Sequence, residues 1–239
     1  MADSTLVPLC NVGRCVFQSL CGILDALIGF CLFAVICEDP GTLFLQESLP
    51  FTMAFVCGNH ENYDALERYP VKDWHGGKVH RIRPHVLHLM RGQIFELEGY
   101  HFFIMGGAKS HDTEDGILEP GAPDFERKLL MLQRKPRARY RINHISWWAQ
   151  EMPSEAEYAE ARRNLTKVDW AVDYVITHCA PTSIALIENR HNEADPLTDF
   201  LQEVKERAHY HYWLFGHYHD NRAIDEKHIL LWEQIIQVI

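Results

Sequence analysis

Polar side chains of the kinds that bind metal ions follow three apolar segments of this sequence. The apolar segments are residues 51–57, 172–176 and 212–215, and the polar runs after them read GNHE (58–61), THCAP (177–181) and GHYHD (216–220). Ligands bind beyond the carboxyl ends of the strands in an open α/β sheet, so three such strands would bring their imidazoles together. Imidazole and oxygen ligands suit manganese, iron, zinc or nickel better than calcium or magnesium. The three loops therefore predict a transition-metal site.

The spacing inside these loops gives the side chains different roles. His217 and His219 would point in opposite directions on an extended strand, whereas a turn begun by Gly216 would let them reach two neighbouring ions. Asn59 offers a neutral amide oxygen, and His60 beside it is left to act on a substrate. Two ions about 3.5–4 Å apart clamp a phosphoryl group and activate a water for in-line attack. The pattern therefore predicts hydrolysis of a phosphate ester.

The other histidines carry less weight. The chain has fifteen, and a single histidine is more often a surface or satisfied core residue than a ligand. The histidines interpreted as ordinary are His75, His80, His85, His88, His101, His209, His211 and His228.

Strands and helices are intermixed along the chain. Apolar runs predict strands at 51–57, 172–177 and 212–215, a hairpin of 93–98 with 100–105 about Gly99, and one or two short strands at 229–239. Helices are predicted at 62–68, 124–133, 196–208 and from a Ser154/Glu157 capping box to about residue 165. This mixture predicts an α/β (α+β) architecture with a mixed sheet.

Length and charge limit the classes of protein to consider. The 239 residues suit one large domain, and 23 Lys and Arg against 33 Asp and Glu give a net charge of −10. An acidic chain is a poor candidate for charge-driven nucleic-acid binding. Residues 127–141 hold seven basic side chains and no acidic one. This run is interpreted as a solvated helix and loop, and a local rim that contacts anions or nucleic acid is the alternative.

Residues 1–37 differ in composition from the rest. They hold five of the seven cysteines, without a CxxC pair, and this odd total fits the reducing cytoplasm better than a secreted disulfide framework. The apolar stretch 16–37 is long enough to span a bilayer, but Asp25 sits near its middle, which favours a buried helix at 16–28 and a strand at 30–37 over a membrane anchor. The break near Glu38 is also what a replaced or frame-altered N-terminus would produce.

Together, residues 58–61, 177–181 and 216–219 resemble the loops of the calcineurin-like metallophosphoesterase superfamily. The likeness extends to residues 49–52, 62–63, 74–90, 106–112 and 147–153. Within the superfamily, the chain looks like the bacterial or phage-type subgroup. The resemblance covers residues 38–239 as one domain, with residues 1–37 expected to pack on it. The resemblance implies a β-sandwich of mixed sheets flanked by helices. It implies hydrolysis of small phosphomonoesters or phosphodiesters at two divalent ions, with Mn²⁺ favoured and Fe, Zn or Ni as alternatives.

The resemblance also implies a ligand set. Asn59, His178 and His217 match ligands of the second metal, and His219 matches a ligand of the first. Asp39 falls where the family has a metal-bridging aspartate, although the residues on either side of it depart from the family's Gly-Asp-x-Gly pattern.

Further positions match the family's substrate side. His60 matches the histidine that contacts the phosphate and assists the leaving group, with Glu61 as its neighbour. Trp148 and Glu151, by the same analogy, would line the substrate pocket. For the tryptophans, packing against the sheet is the alternative.

One family motif has no counterpart. The family opens with a strand ending in Asp-x-His, which supplies two ligands to the first metal, and no Asp-x-His occurs in residues 1–50. The resemblance then leaves the first ion with His219 and Asp39 alone. Two readings follow: an active phosphoesterase that works with one ion or two, and a degenerate, non-catalytic relative that binds one metal or a phosphorylated ligand.

Overall fold

The computed structural model describes residues 52–188 and 194–238, together with the backbone of two short strands that precede them. The strands in chain order are β1 (Val7–Pro8), β2 (Cys31–Val35), β3 (Thr52–Val56), β4 (Val71–Trp74), β5 (Gly77–Arg83), β6 (Val86–Leu89), β7 (Ile94–Leu97), β8 (Tyr100–Met105), β9 (Ile117–Leu118), β10 (Arg141–Ile142), β11 (Tyr174–Thr177), β12 (Tyr212–Phe215), β13 (Arg222–Ala223), β14 (His228–Leu230) and β15 (Gln234–Ile235). The helices are α1 (Tyr63–Leu66), α2 (Phe125–Arg134), α3 (Glu155–Lys167), α4 (Thr182–Glu188) and α5 (Pro196–Arg207), and a 3₁₀ turn spans Ala149–Glu151.

Most of these strands form two mixed sheets. One has the order β13-β14-β12-β11-β8-β7, in which β8, β11, β12 and β14 run parallel and the two edge strands run antiparallel to their neighbours. The other has the order β2-β3-β6-β5-β4, with β2, β3 and β6 parallel. The predicted α/β class with mixed sheets is confirmed.

The two sheets face each other across a shared apolar layer. Val56 and Leu89 of the five-stranded sheet lie in one buried cluster with Phe102 and Ile176 of the six-stranded sheet. Successive side chains of a strand point to opposite faces, so Phe55 of β3 lies in a different cluster on the outer side. Both faces of β3 are buried, which explains why residues 51–57 are a continuous apolar run.

Helices cover the outer faces. Leu165 of α3 and Phe200 of α5 pack with Trp213 on the six-stranded sheet, and Leu66 of α1 packs with Met53 on the other. Burying a side chain of this size contributes about 1.5–3 kcal/mol relative to leaving it exposed. Within the parts of the chain that the structure describes, none of the helices combines the length and apolarity needed to cross a bilayer.

Most predicted elements are found close to their predicted bounds. The Ser154 hydroxyl accepts a hydrogen bond from the Glu157 backbone amide, and the Glu157 carboxylate accepts one from the Ser154 amide, which confirms the capping box. The predicted strand at 30–37 is β2, and the predicted terminal strands are β14 and β15. The helix predicted at 16–28 and the candidate ligand Asp39 lie outside the described residues.

Two histidines interpreted as ordinary form a buried pair on the outer face of the five-stranded sheet. The Nδ1 atoms of His80 and His88 are 3.0 Å apart, across neighbouring strands β5 and β6. Burial lowers the pKa of both imidazoles below 6.5, and that of His88 well below it. Among the described residues, His88 Nε2 has no hydrogen-bond partner. The pair is therefore neutral in the folded protein at pH 7.

This pair should make the folded state sensitive to acid. The unfolded chain binds protons on these imidazoles below about pH 6.5 while the folded chain does not, so the free energy of unfolding should fall as pH drops through that value. Between pH 7.5 and 5.5 the loss is about 1.4 kcal/mol for each imidazole that stays neutral. We expect His88→Leu to reduce the pH dependence by about that amount in urea unfolding. His85→Leu is the control, because His85 is exposed and lies just before β6. An equal change in the pH dependence of unfolding in both variants would contradict the prediction.

Candidate metal centre

Four loops meet at the carboxyl ends of β3, β8, β11 and β12. Backbone hydrogen bonds join them: the Gly107 amide donates to the Cys57 carbonyl (2.8 Å), and the Gly216 amide donates to the His178 carbonyl (3.0 Å). The first of these bonds connects the two sheets, because Cys57 follows β3 and Gly107 follows β8. The structure thus brings the three polar loops singled out in the sequence to one edge of the fold, together with a fourth loop.

Three of the predicted ligands converge there. Asn59 Oδ1 lies 3.2 Å from His178 Nε2, and the rings of His178 and His217 are 5.1 Å apart between centroids. Two donor atoms that bind one ion at right angles, each at about 2.1 Å, are about 3.0 Å apart. Without an ion, His178 Nε2–H donates a hydrogen bond to the Asn59 amide oxygen. The length of this bond is also close to the separation of two ligands on one ion, and the His217 ring lies beside it.

Burial keeps these imidazoles neutral. The pKa of His178 lies well below 6.5, mainly because of burial and then because of nearby His217. Burial, followed by neighbouring His111, lowers the pKa of His217 to about 3. Metal binding requires neutral imidazole, so neither ring has to lose a net proton at pH 7. His178 would have to shift its hydrogen from Nε2 to Nδ1 before Nε2 could bind an ion beside Asn59.

Gly58 makes room for His178. A Cβ atom at position 58 would lie 2.8 Å from His178 Cε1 and 3.0 Å from its Nε2, which is closer than real Cβ contacts. The glycine at the start of the GNHE run thus lets the backbone after β3 approach the imidazole that follows β11.

We expect Gly58→Ala to lower the free energy of unfolding by about 1–3 kcal/mol, because it overpacks this contact. The origin of the loss can be checked in a double-mutant cycle with His178→Ala, measured by urea unfolding. If the clash is with the imidazole, the cost of Gly58→Ala should shrink when His178 is alanine. An unchanged cost in that background would place the clash elsewhere.

The two histidines of the GHYH run separate. Both have a left-handed backbone conformation, with φ of 72° at His217 and 53° at His219, so the segment leaves the extended conformation directly after β12. His217 turns toward His178, whereas His219 is exposed and stacks on the Trp232 ring at 5.4 Å and 10°. The side chain expected on the first metal is thus engaged with an aromatic ring.

His60 stands at the open side of the cluster. Its Nε2 lies 3.3 Å from Asn59 Nδ2, and its ring is exposed. Its pKa is lowered by partial burial and then by the charge of Arg141, and is raised again by Asp112. The Arg141 and Asp112 side chains form an ion pair. His60 is therefore next to the proposed ion ligands and also accessible from outside.

The basic run at 127–141 is largely paired with acidic residues that precede it. Ion pairs join Lys128 to Asp124 (3.0 Å) and Arg139 to Glu114 (2.9 Å), and others join Lys135 to Asp115 and Arg141 to Asp112. The positive charge of this run is thus partly neutralised within the same surface.

Three residues expected on the substrate side are held by other parts of the protein. Glu61 is buried, and its carboxylate accepts a hydrogen bond from the Gly58 amide at 3.3 Å. The Trp148 indole is buried and donates to Asp64 at 2.8 Å. Glu151 is 3% exposed, and its carboxylate accepts hydrogen bonds from the Ser110 amide and hydroxyl.

Sequence reasoning included the fourth loop in the family likeness but assigned none of its residues a role in the site. It follows β8 and reads GGAKSH (106–111), and it brings Ser110 within 3.0 Å of Asn59 Nδ2 and His111 within 6.3 Å of the His217 ring. The signal was present, because this run also follows an apolar strand, 100–105, and ends in a histidine. Arg91, which holds Gln150 and Glu151 in place, gave no such signal.

Comparison with protein-family models, with curated proteins and with solved structures found no match for this chain.

The donors gathered at this edge are few. Among the described residues, no group of three or more histidine, cysteine or carboxylate side chains is gathered closely enough to hold a metal. The set consists instead of two imidazoles and the Asn59 amide oxygen, which are ligand types that transition metals accept. His178 Nδ1 is buried and has no hydrogen-bond partner among the described residues, so the support that usually orients a ligating imidazole is incomplete here.

Proposed function

We propose that this chain hydrolyses phosphate esters with a divalent transition metal held by Asn59, His178 and His217. The observation that carries the proposal is the convergence of these three side chains from the carboxyl ends of strands in two different sheets. Their donor types favour Mn²⁺, with Fe, Zn or Ni as alternatives. When bound, the ion would polarise a phosphoryl oxygen and make a water more acidic.

His60 is proposed to assist the leaving group. The Asn59 side-chain nitrogen donates only, so His60 Nε2 accepts its hydrogen bond and the neutral ring carries its proton on Nδ1. A neutral imidazole does not release this proton, but Nδ1–H can donate a hydrogen bond to the oxygen of a leaving group as negative charge develops on it, and the exposed ring leaves room for a substrate. Removing one such donor typically costs about 10²–10³-fold in kcat.

The resemblance to calcineurin-like metallophosphoesterases supports the same activity. Two facing mixed sheets with ligands after their strands agree with the sandwich that the resemblance implies. Because the Asp-x-His that supplies two ligands to the family's first ion has no counterpart in residues 1–50, we propose one ion rather than two. The substrate class is a small phosphomonoester or phosphodiester, and the ion pairs along 127–141 argue against a nucleic-acid rim.

Two buried free thiols, Cys57 and Cys179, agree with a reducing, cytoplasmic location.

The test uses the purified chain with added Mn²⁺. We expect about one ion per chain by elemental analysis and turnover of p-nitrophenyl phosphate or bis-p-nitrophenyl phosphate that stops on chelation. Absence of both bound metal and turnover would overturn the proposal.

A second candidate is a non-catalytic relative that binds one metal or a phosphorylated ligand. It is favoured by the absence of Asp-x-His from residues 1–50 and by the small number of donors gathered at this edge among the described residues. One bound ion with no turnover of either substrate would select this candidate.

A further inference from the structure

A chain of buried hydrogen bonds runs from Glu151 to the proposed metal ligand Asn59. The Glu151 carboxylate accepts hydrogen bonds from the Ser110 backbone amide (2.8 Å) and from the Ser110 hydroxyl (2.6 Å). The Ser110 hydroxyl oxygen in turn lies 3.0 Å from Asn59 Nδ2. All three residues are buried, with exposed fractions of 3% for Glu151, 5% for Ser110 and 6% for Asn59.

The positions of the protons in this chain determine how Asn59 is oriented. An ionised carboxylate only accepts hydrogen bonds, so the single hydroxyl proton of Ser110 is used on Glu151. The hydroxyl oxygen can then only accept from Asn59, which must present its NH₂ group. The carbonyl oxygen of the amide is thereby turned toward His178, where an ion would need it.

Glu151 is itself held firmly. Buried Arg91 donates hydrogen bonds to the backbone carbonyls of Gln150 (2.8 Å) and Glu151 (3.1 Å). Burial raises the pKa of the Glu151 carboxyl, and the hydrogen bonds that it accepts from Ser110 and from the Trp147 side chain act against this rise by favouring the ionised form. Gly107, with φ of 101°, allows the Glu151 carbonyl to approach where a Cβ would overlap it.

We propose that Glu151, acting through Ser110, is a positioning residue that fixes the amide of Asn59 with its oxygen toward the metal. This inference rests on the proposed metal site and gives Glu151 a role different from the substrate contact that the sequence suggested. Neither Glu151 nor Ser110 touches the ion or the substrate.

Glu151→Gln is the decisive variant because it reverses the hydrogen-bond direction with little change in shape. A glutamine that accepts from the Ser110 amide must present its NH₂ to the Ser110 hydroxyl. The hydroxyl proton then points to Asn59, and the amide has to turn its oxygen away from the ion. We expect Mn²⁺ affinity, measured by calorimetry, to fall by about 10–100-fold. Thermal stability should stay equal or rise, because the variant removes a buried charge.

Ser110→Ala and Thr113→Ala complete the series. Ser110→Ala removes the constraint without reversing it, so its loss of affinity should be smaller than that of Glu151→Gln. Thr113→Ala removes a hydroxyl from the same loop outside the chain of bonds and should bind Mn²⁺ like the wild type. The NMR signals of the Asn59 side-chain NH₂, in protein without metal, should shift in Glu151→Gln and stay in place in Thr113→Ala.

Two failures are distinguishable. Wild-type protein that binds no Mn²⁺ would overturn the metal site itself. Wild-type binding that Glu151→Gln leaves unchanged, or a loss of affinity that only accompanies a loss of thermal stability, would overturn the positioning role alone.

Discussion

Replacing His217 with alanine is expected to weaken Mn²⁺ binding by more than about 100-fold and to remove turnover with it. Loss of a residue that only supports a ligand typically costs 10–100-fold in metal affinity, and His217 is proposed to contact the ion directly. The remaining donors would be the Asn59 oxygen and one imidazole, which is too few to hold a divalent ion at micromolar concentration. Calorimetric titration with Mn²⁺ and hydrolysis of p-nitrophenyl phosphate measure the two losses.

Two control variants test whether the losses are specific to His217. His211→Ala removes an imidazole that is 68% exposed and lies near Asp173, away from the cluster, and should leave affinity and turnover unchanged. His219→Ala should cost much less affinity than His217→Ala, because His219 is not among the proposed ligands of the single ion. Equal losses in His217→Ala and His219→Ala would contradict the single-ion site and place both histidines on metal.

The sequence predicted the elements that are buried on both faces or marked by a cap. Strand β12 was predicted at its observed bounds because its apolar run is continuous, and α3 was predicted because Ser154 and Glu157 form a capping box. Strands β4 to β6 were missed. Their alternating pattern is interrupted by charges, since Lys72 and Asp73 on the edge strand are exposed, and edge strands often carry charge.

The sequence predicted the proposed ligands of the candidate site but not the residues that hold them in place. Asn59, His178 and His217 share a visible signal, because each follows a buried strand. The contact between Ser110 and Glu151 joins the loop after β8 to the 3₁₀ turn, 41 residues further along the chain, and no local pattern encodes it. The stacking of His219 on Trp232 is also a tertiary contact, and a two-residue spacing cannot show it.

Replacing His60 with alanine should lower kcat by about 10²–10³-fold while the metal stays bound. The His60 ring is exposed and contacts the Asn59 nitrogen, not its oxygen, so the ion ligands keep their places without it. What is lost is the hydrogen bond that Nδ1–H would donate to the oxygen of the leaving group. The size of the defect should therefore depend on the substrate.

A leaving group that departs easily as an anion gains little from this hydrogen bond, and a poor one gains more. The defect of His60→Ala should therefore be smaller for p-nitrophenyl phosphate than for phenyl phosphate, while Mn²⁺ affinity matches the wild type. His211→Ala serves again as the control and should treat the two substrates as the wild type does. A defect of the same size for both would mean that His60 contacts the phosphate and not the leaving group, and loss of Mn²⁺ would make it a ligand instead.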